Sequence, residues 1–371
     1  MSDTPGSNYS RLDRLLHRWA FSGIEIQKSL ADMEDRMHAK RMESIAIEKP
    51  VFITALPRAG TTLLLDFVAR QPGFVTHTYR CMPFVLCPIL WDSVSRGFRR
   101  PAAGKERAHG DGMIVSYDSP EAFEEILWKA FWPKKFTPDR IALWTQADRN
   151  PEFEQFFRNH IRKLIALGQS PNRAPNRAPN RAGGRYVSKN NANIARIRLL
   201  RRIFPDCVFV VPFRDPVDQA ASLMRQHRHF TTIHASDAFA RYYMETIGHF
   251  EFGAGLRRID FPGAPEGGRA ADPMHGDFWL SYWIRAYSHL LGMEDAGLRF
   301  MDFDRMCAEP LPALEALCRE LGAVEAFGHI AEEAANFHPA MRYDAQELGL
   351  DPEILGRARN LQAELSKRAI N

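Results

Sequence analysis

The stretch VFITALPRAGTTLLLDFVAR, residues 51–70, decides the fold. VFITAL at 51–56 is a short, β-branched apolar run and reads as a buried strand. TTLLLDFVAR at 61–70 reads as the helix that follows, closed by Pro72 and Gly73. Between them lies a tight turn, PRAG. A strand that ends in such a turn and opens into a helix makes an anion cradle: backbone N–H groups point inward and the helix N-terminus adds a favourable field. Gly60 permits close approach of a ligand, Ala59 is small, and Thr61 and Thr62 offer N–H and hydroxyl donors. The triphosphate-binding pattern GxxxxGK[ST] fails twice, because Ala55 replaces its first Gly and Thr61 replaces its Lys. Arg58 supplies positive charge from another point of the loop.

The same alternation returns downstream. RYVSK at 185–189 reads as a strand, IARIRLLRRIF at 194–204 as an amphipathic helix, CVFVVPF at 207–213 as a buried strand and DPVDQAASLMRQH at 215–227 as a helix. Strand–helix pairs repeated in this way favour an α/β layer fold with a parallel sheet. LRFMDFDRM at 298–306 supplies a further strand, and PLPALEALCRELG at 310–322 a helix that ends at Gly322. Helices are also expected over 120–132, 151–167 and 351–370. Arg214 stands at the end of a strand and Ser222 about two turns into the next helix. An arginine fork and a hydroxyl so placed can take a phosphate in the crevice above the sheet. Two anion-binding edges imply a ligand with phosphates at two separated positions.

Bulk properties narrow the partners. The chain has 371 residues, 49 basic and 45 acidic, for a formal charge of +4. So mild an excess does not call for nucleic acid and suits a small anionic ligand. The five cysteines show no repeated spacing, so neither a disulfide framework nor a zinc site is expected, and reduced thiols point to the cytoplasm. MPFVLCPILW at 82–91 is too short to span a bilayer and reads as buried. A peripheral membrane contact through the basic amphipathic N-terminal region stays open. The expected organisation is an N-terminal helical segment, 1–46, and one domain, 47–371. That domain has an insertion at about 77–170 and an exposed loop at 171–182, where PNRA occurs three times.

Together these residues resemble the PAPS-dependent sulfotransferases. PRAGTTL looks like their 5′-phosphosulfate loop, with Arg58 where that family has Lys or Arg. RDPVDQAAS resembles their 3′-phosphate motif, with Arg214 and Ser222 at the matching positions. FMDFDRMCAEPLPALEALCRELG looks like a later strand–loop–helix segment, its acidic residue being Asp302 or Asp304. The resemblance implies a P-loop-type three-layer fold with a central parallel sheet flanked by helices. It also implies transfer of the sulfuryl group of 3′-phosphoadenosine 5′-phosphosulfate (PAPS) to a hydroxyl or amine of a small-molecule or glycan acceptor, with no metal. A P-loop kinase and a non-catalytic nucleotide-binding protein are the rival readings.

The resemblance gives Lys189 a role at the bridging or a sulfuryl oxygen. It leaves the base open. Small-molecule enzymes of the family take their base from a Lys-Thr-His segment, whereas here the segment is SKNNAN, and neither Asn190 nor Asn191 can accept a proton. That departure points toward the carbohydrate and protein-tyrosine branches. The candidate bases are His77, the cluster Glu121, Glu124 and Glu125, and His109. Acceptor recognition is expected from 77–132, where Tyr79, Trp91, Trp128 and Trp132 mix with Arg80, Arg96 and Arg99.

Overall fold

In the computed structural model, the residues described are 20–21, 23–97, 119–168, 184–263, 268–293, 296–323, 330–339 and 341–371, with the backbone of 105–106 and 114–115. The PNRA repeat, His109 and Arg99 lie outside them. The strands run β1 (Val51–Ile53), β2 (Phe74–Val75), β3 (Lys105–Glu106), β4 (Ile114–Val115), β5 (Arg140–Ile141), β6 (Arg185–Lys189), β7 (Val208–Phe213), β8 (Arg258–Ile259) and β9 (Leu298–Asp302). Five of them form one sheet in the order β2-β6-β1-β7-β9. Each pairing in it is parallel. This is an α/β fold with a central parallel sheet flanked by helices. Its strands are continuous apolar runs because helices cover both faces; Val51, Phe52 and Ile53 are each 0% exposed.

Register sets the site. Ile53 pairs with Lys189 on one side and Val210 on the other, and Phe213 pairs with Asp302. The carboxyl ends of β1, β6, β7 and β9 therefore deliver the loop at 54–60, Lys189, Arg214 and Asp304 to one edge of the sheet. The chain leaves β1 toward β2 and leaves β7 toward β9, at opposite edges. The crevice between β1 and β7 is thus a topological switch point, where open α/β sheets bind ligands.

The helices after β1 and β7 fall as expected, at Thr61–Arg70 and Pro216–Ser236. Asp215 caps the second by accepting from Val217 N at 2.9 Å and Asp218 N at 3.1 Å, with Pro216 in the first turn. Helix Gly276–Leu291, which the sequence reading did not foresee, packs Trp279, Trp283 and Tyr287 into the core beside the crevice. The N-terminal helix Ile24–Glu43 joins the same apolar core through Ala31. Among the described residues no helix is long and apolar enough to cross a membrane. The five cysteines are buried and none forms a disulfide among the described residues.

Candidate active site

The loop after β1 is held from both sides. Gly60 caps helix Thr61–Arg70 at φ +83°, and a Cβ there would lie 2.0 Å from the Phe303 ring, so both conformation and space require glycine. Arg58 has φ +69°, a left-handed conformation that a non-glycine residue rarely holds without a structural cause. Here the cause is the loop's anchoring. Gln219 donates to Leu56 O at 3.2 Å and Pro57 O at 2.9 Å, and its own oxygen accepts from Trp283 Nε1 at 2.9 Å. Arg214 donates to Arg58 O at 3.3 Å. Gln219 and Trp283 were not singled out in the sequence; a buried glutamine between Asp215 and Ser222, on a helix facing the loop, is the signal that was there to read.

Two expected anion-binding edges meet directly. Arg58 Nε donates to Ser222 Oγ at 3.2 Å, so the loop after β1 and the helix after β7 adjoin across the crevice. Arg214 is 6% exposed. It has Asp218 Oδ2 at 3.9 Å and Asp304 Oδ1 at 3.6 Å, and its Nε, although buried, makes no hydrogen bond. Asp304, rather than Asp302, turns toward this site and accepts from Asp215 N at 2.7 Å. Asp302 instead caps its own short helix, Phe303–Ala308. The ends of Ala59, Gly60, Thr61 and Thr62 complete a cradle whose side chains and helix terminus favour negative charge.

Lys189 ends β6 and lines an open cavity whose empty space, its solvent mouth included, is about 600 Å³. Its walls are mainly apolar, with Ile141, Leu223, Phe250, Ile259, Trp279 and Tyr282 prominent. Polar groups gather where Lys189, Asn190 and Asn191 meet Glu125, His249, Glu251 and Arg257. Nearly half of this wall comes from 248–282, beyond both loop motifs. The expected acceptor region, 77–132, contributes Ala122 and Glu125. Its aromatic residues are packing groups instead: Trp128 lies 4.4 Å from Phe153, Trp132 lies 6.1 Å from Trp144, and Trp91 lies 4.8 Å from Phe84. Arg96 pairs with Asp92, and Tyr79 donates to Glu121.

The candidate bases are distributed differently from the expectation. His77 is 1% exposed and does not line the cavity. Its Nε2 shares a proton-bearing contact with His160 Nε2 at 2.8 Å, and its Nδ1 lies 3.3 Å from the Tyr186 hydroxyl. Burial pulls the imidazole down to about 3, so it stays neutral deep in the core. The three glutamates do not act as one cluster, because the helix starts at Glu124 and Glu121 precedes it. Glu121 accepts from Tyr79 and from Ala122 N. Glu124 accepts from Tyr186, Trp128 and Asn193. Both oxygens of Glu125 accept from one nitrogen, Arg196 Nη2, at 2.8 and 2.9 Å, and Oε2 also accepts from Asn190 Nδ2 at 2.7 Å. Arg196 is fully buried between the rings of Trp128 and Trp144, 4.3 and 4.5 Å from their centroids.

The segment SKNNAN thereby acquires a physical reading. Each asparagine donates to one carboxylate: Asn190 to Glu125, Asn193 to Glu124, and Asn191 to Glu251 at 2.9 Å. A histidine at these places would supply a ring where the fold uses the compact amide as a brace. Among the described residues no group of three His, Cys, Asp or Glu side chains is arranged to hold a metal ion.

A family model described as "Sulfotransferase family" matches residues 50–253. No curated protein matches the chain. A sulfotransferase from Mycobacterium avium shares 14% identity with a TM-score of 0.54, covering 97% of this chain and 86% of its own. One from Mycobacterium tuberculosis H37Rv shares 15%, covering 92% and 84%, at a TM-score of 0.46. A sulfotransferase domain of the Synechococcus PCC 7002 olefin synthase shares 13%, covering 87% and 94%, at 0.34. The placement nearer the carbohydrate and protein-tyrosine branches is thereby corrected: the matching model is that of the general sulfotransferase family, and the similar Mycobacterium avium structure is a bacterial sulfotransferase. The asparagines of SKNNAN, which suggested that placement, brace carboxylates.

Proposed function

Since the chain belongs to the sulfotransferase family and transfers the sulfuryl group of PAPS, we propose that the crevice between β1 and β7 holds the nucleotide and the adjoining cavity holds the acceptor. The loop at 55–60 acts as a P-loop-type cradle for the 5′-phosphosulfate. Arg58, the amides of Ala59, Gly60 and Thr61, and the hydroxyls of Thr61 and Thr62 receive the negative charge that builds on the 5′-phosphate as its bond to sulfur breaks. Arg214 and Ser222 hold the 3′-phosphate. Lys189, at the level of Ile53 in the next strand, reaches the oxygens around sulfur from the acceptor side. Residues 47–371 form the catalytic unit. The observation that carries this reading is the Arg58–Ser222 contact at 3.2 Å, which joins the two phosphate edges in one crevice. Arg214 Nε, 3.6 Å from Asp304 Oδ1 and without a hydrogen bond, is the donor that would turn to a phosphate oxygen.

The acceptor is a small hydroxyl compound on an apolar body. The cavity's walls support that: Leu223, Phe250, Ile259 and Trp279 would leave sugar hydroxyls without partners, and an unpaired buried polar group costs about 1–3 kcal/mol. Sulfuryl transfer then rests on positioning and charge stabilisation.

Calorimetry with adenosine 3′,5′-bisphosphate and AMP tests the reading. The bisphosphate should bind more tightly by roughly 1.5–3 kcal/mol, the scale of a charge-assisted hydrogen bond. Arg214→Ala should abolish most of that preference. Label from PAPS should pass to alcohols with apolar bodies before sugars. Equal affinity for the two nucleotides would reject the site.

A further inference from the structure

Inside the cavity stands a carboxylate outside every motif discussed so far. Glu251 lies on the link between helix Ala238–Ile247 and the short turn Gly253–Gly255. That link is pinned at both ends. Gly248 closes the helix at φ +84°, and a Cβ there would strike Glu125 Cγ at 2.4 Å. At the other end, Gly253 N donates to His227 Nδ1 and Ala254 N to His234 Nδ1, each at 3.2 Å. Glu251 Oε1 accepts from Asn191 Nδ2 at 2.9 Å. The other end of the same amide, Asn191 Oδ1, accepts from Thr61 Oγ1 at 3.4 Å. Asn191 O also accepts from Thr54 Oγ1 at 3.3 Å. One asparagine thus ties Glu251 to the first residue of the helix behind the phosphate loop.

We propose that Glu251 is the general base for the acceptor hydroxyl, with Asn191 as the residue that positions it against the phosphate loop. The inference rests on the functional reading above. The acceptor's O–H proton passes to the Glu251 carboxylate. A bond forms between the acceptor oxygen and sulfur, the bond between sulfur and the 5′-phosphate oxygen breaks, and adenosine 3′,5′-bisphosphate leaves with that electron pair. Of the carboxylates expected for this task, Glu124 lies in the core. Glu125 reaches the cavity, but its two oxygens are held by Arg196 and Asn190. Glu251 is the acid at the wall that is bonded through Oε1 to a single neutral amide rather than to a cation. The charged and titratable groups around the same space are Lys189 from β6, Glu125 from helix Glu124–Phe131, His249 and Arg257 from the link and its continuation, and Tyr282 from helix Gly276–Leu291.

Four variants test the assignment in the full chain. Glu251→Gln keeps the bond to Asn191 and removes the base. It should lower kcat by about 10²–10⁴ while leaving affinity for adenosine 3′,5′-bisphosphate, read by calorimetry, within about twofold. The acidic limb of the kcat profile should vanish with it. Asn191→Asp sets a like charge beside Glu251 and raises the pH at which it ionises, so that limb should move to higher pH. Asn191→Ala should lower kcat more than it changes KM. Glu251→Gln that turns over normally, or Asn191→Asp with an unmoved limb, overturns the proposal. So does His249→Asn losing the rate while Glu251→Gln keeps it. The nucleotide measurement separates the two levels: wild-type chain that binds the bisphosphate no better than AMP overturns the functional reading. Normal nucleotide preference with an active Glu251→Gln variant overturns only the base.

Discussion

The phosphate edge and the carboxylate shell sit side by side above the same sheet, yet they are built on opposite plans. At the phosphate edge, cations and donors lie at the ends of strands and at helix starts. Arg58, Gly60, Thr61, Arg214 and Ser222 take their positions from two strand–turn–helix units whose spacing is local. In the carboxylate shell, Glu124, Glu125 and Glu251 are held by residues distant in sequence, namely Tyr186, Arg196, Asn190, Asn191 and Asn193. In the first region Arg214 stands beside Asp218 and Asp304 and Arg58 beside Ser222, and the proposed function has both cations turn to the phosphates of the nucleotide. The second has spent two of its three carboxylates on structure. Charge at the first should govern ligand affinity, and charge at the second should govern whether the chain stays folded.

The strongest test of that division is Arg196→Ala. Its guanidinium is fully buried and paired through both oxygens of Glu125. Removing it leaves a carboxylate in the core without its counter-charge, which costs about 3–5 kcal/mol. The urea midpoint should fall accordingly. Replacing Arg196 and Glu125 together by apolar residues of similar volume should recover much of the loss, since the desolvation of both charges disappears. A neutral Arg196→Ala would show that the shell is not structural and would return Glu125 to the list of bases.

This division also explains what the sequence made legible. The strands at 185–189 and 208–213 and the helix at 61–70 fall close to their expected bounds because apolar runs and turn residues record them locally. The loop at 55–60 was readable for the same reason: Gly60 and Thr61 carry their meaning in the order of neighbours. The acceptor side was not. Trp128 and Trp132 look alike as wall or core until the position of Phe153 and Trp144 is known. Glu251 has no motif, because its partner Asn191 arrives from the distant turn that follows β6. His77 shows the limit most clearly. An imidazole after the first helix suits a base in chemistry, but only packing reveals that His160 and Tyr186 enclose it.

A second test uses that enclosure. Native His77 stays neutral down to about pH 3, whereas in the unfolded chain it protonates near its ordinary 6.5. Between these values the unfolded state binds the extra proton, so stability is complete above pH 6.5 and drains as pH falls toward 3. By pH 5 the loss attributable to His77 is roughly 2 kcal/mol. His160 is lowered by the same burial and adds in the same direction. His77→Gln should therefore flatten the change in urea midpoint between pH 7 and pH 5, although its stability at pH 7 falls. An unchanged pH slope would mean that the histidine is open to solvent, and would bring it back toward the acceptor.

The smallest effect probes the point where the two phosphate edges meet. Ser222 is 5% exposed, and its hydroxyl accepts from Arg58 Nε at 3.2 Å. Ser222→Ala removes one neutral partner from a cation that keeps its charge and its place in the loop. The backbone of that loop remains anchored by Gln219 and Arg214, neither of which the substitution touches. Folding should therefore change little. Affinity for adenosine 3′,5′-bisphosphate should fall by about 0.5–1.5 kcal/mol, the net worth of one hydrogen bond. AMP, which has no group for Ser222 to hold, should bind as before. The contrast separates two jobs the hydroxyl could have. If it only steadies Arg58 beside the 5′ side of the nucleotide, both ligands weaken together. If it holds the 3′-phosphate, the bisphosphate alone loses affinity, and the phosphate edge behaves as a surface prepared for ligand rather than as part of the core.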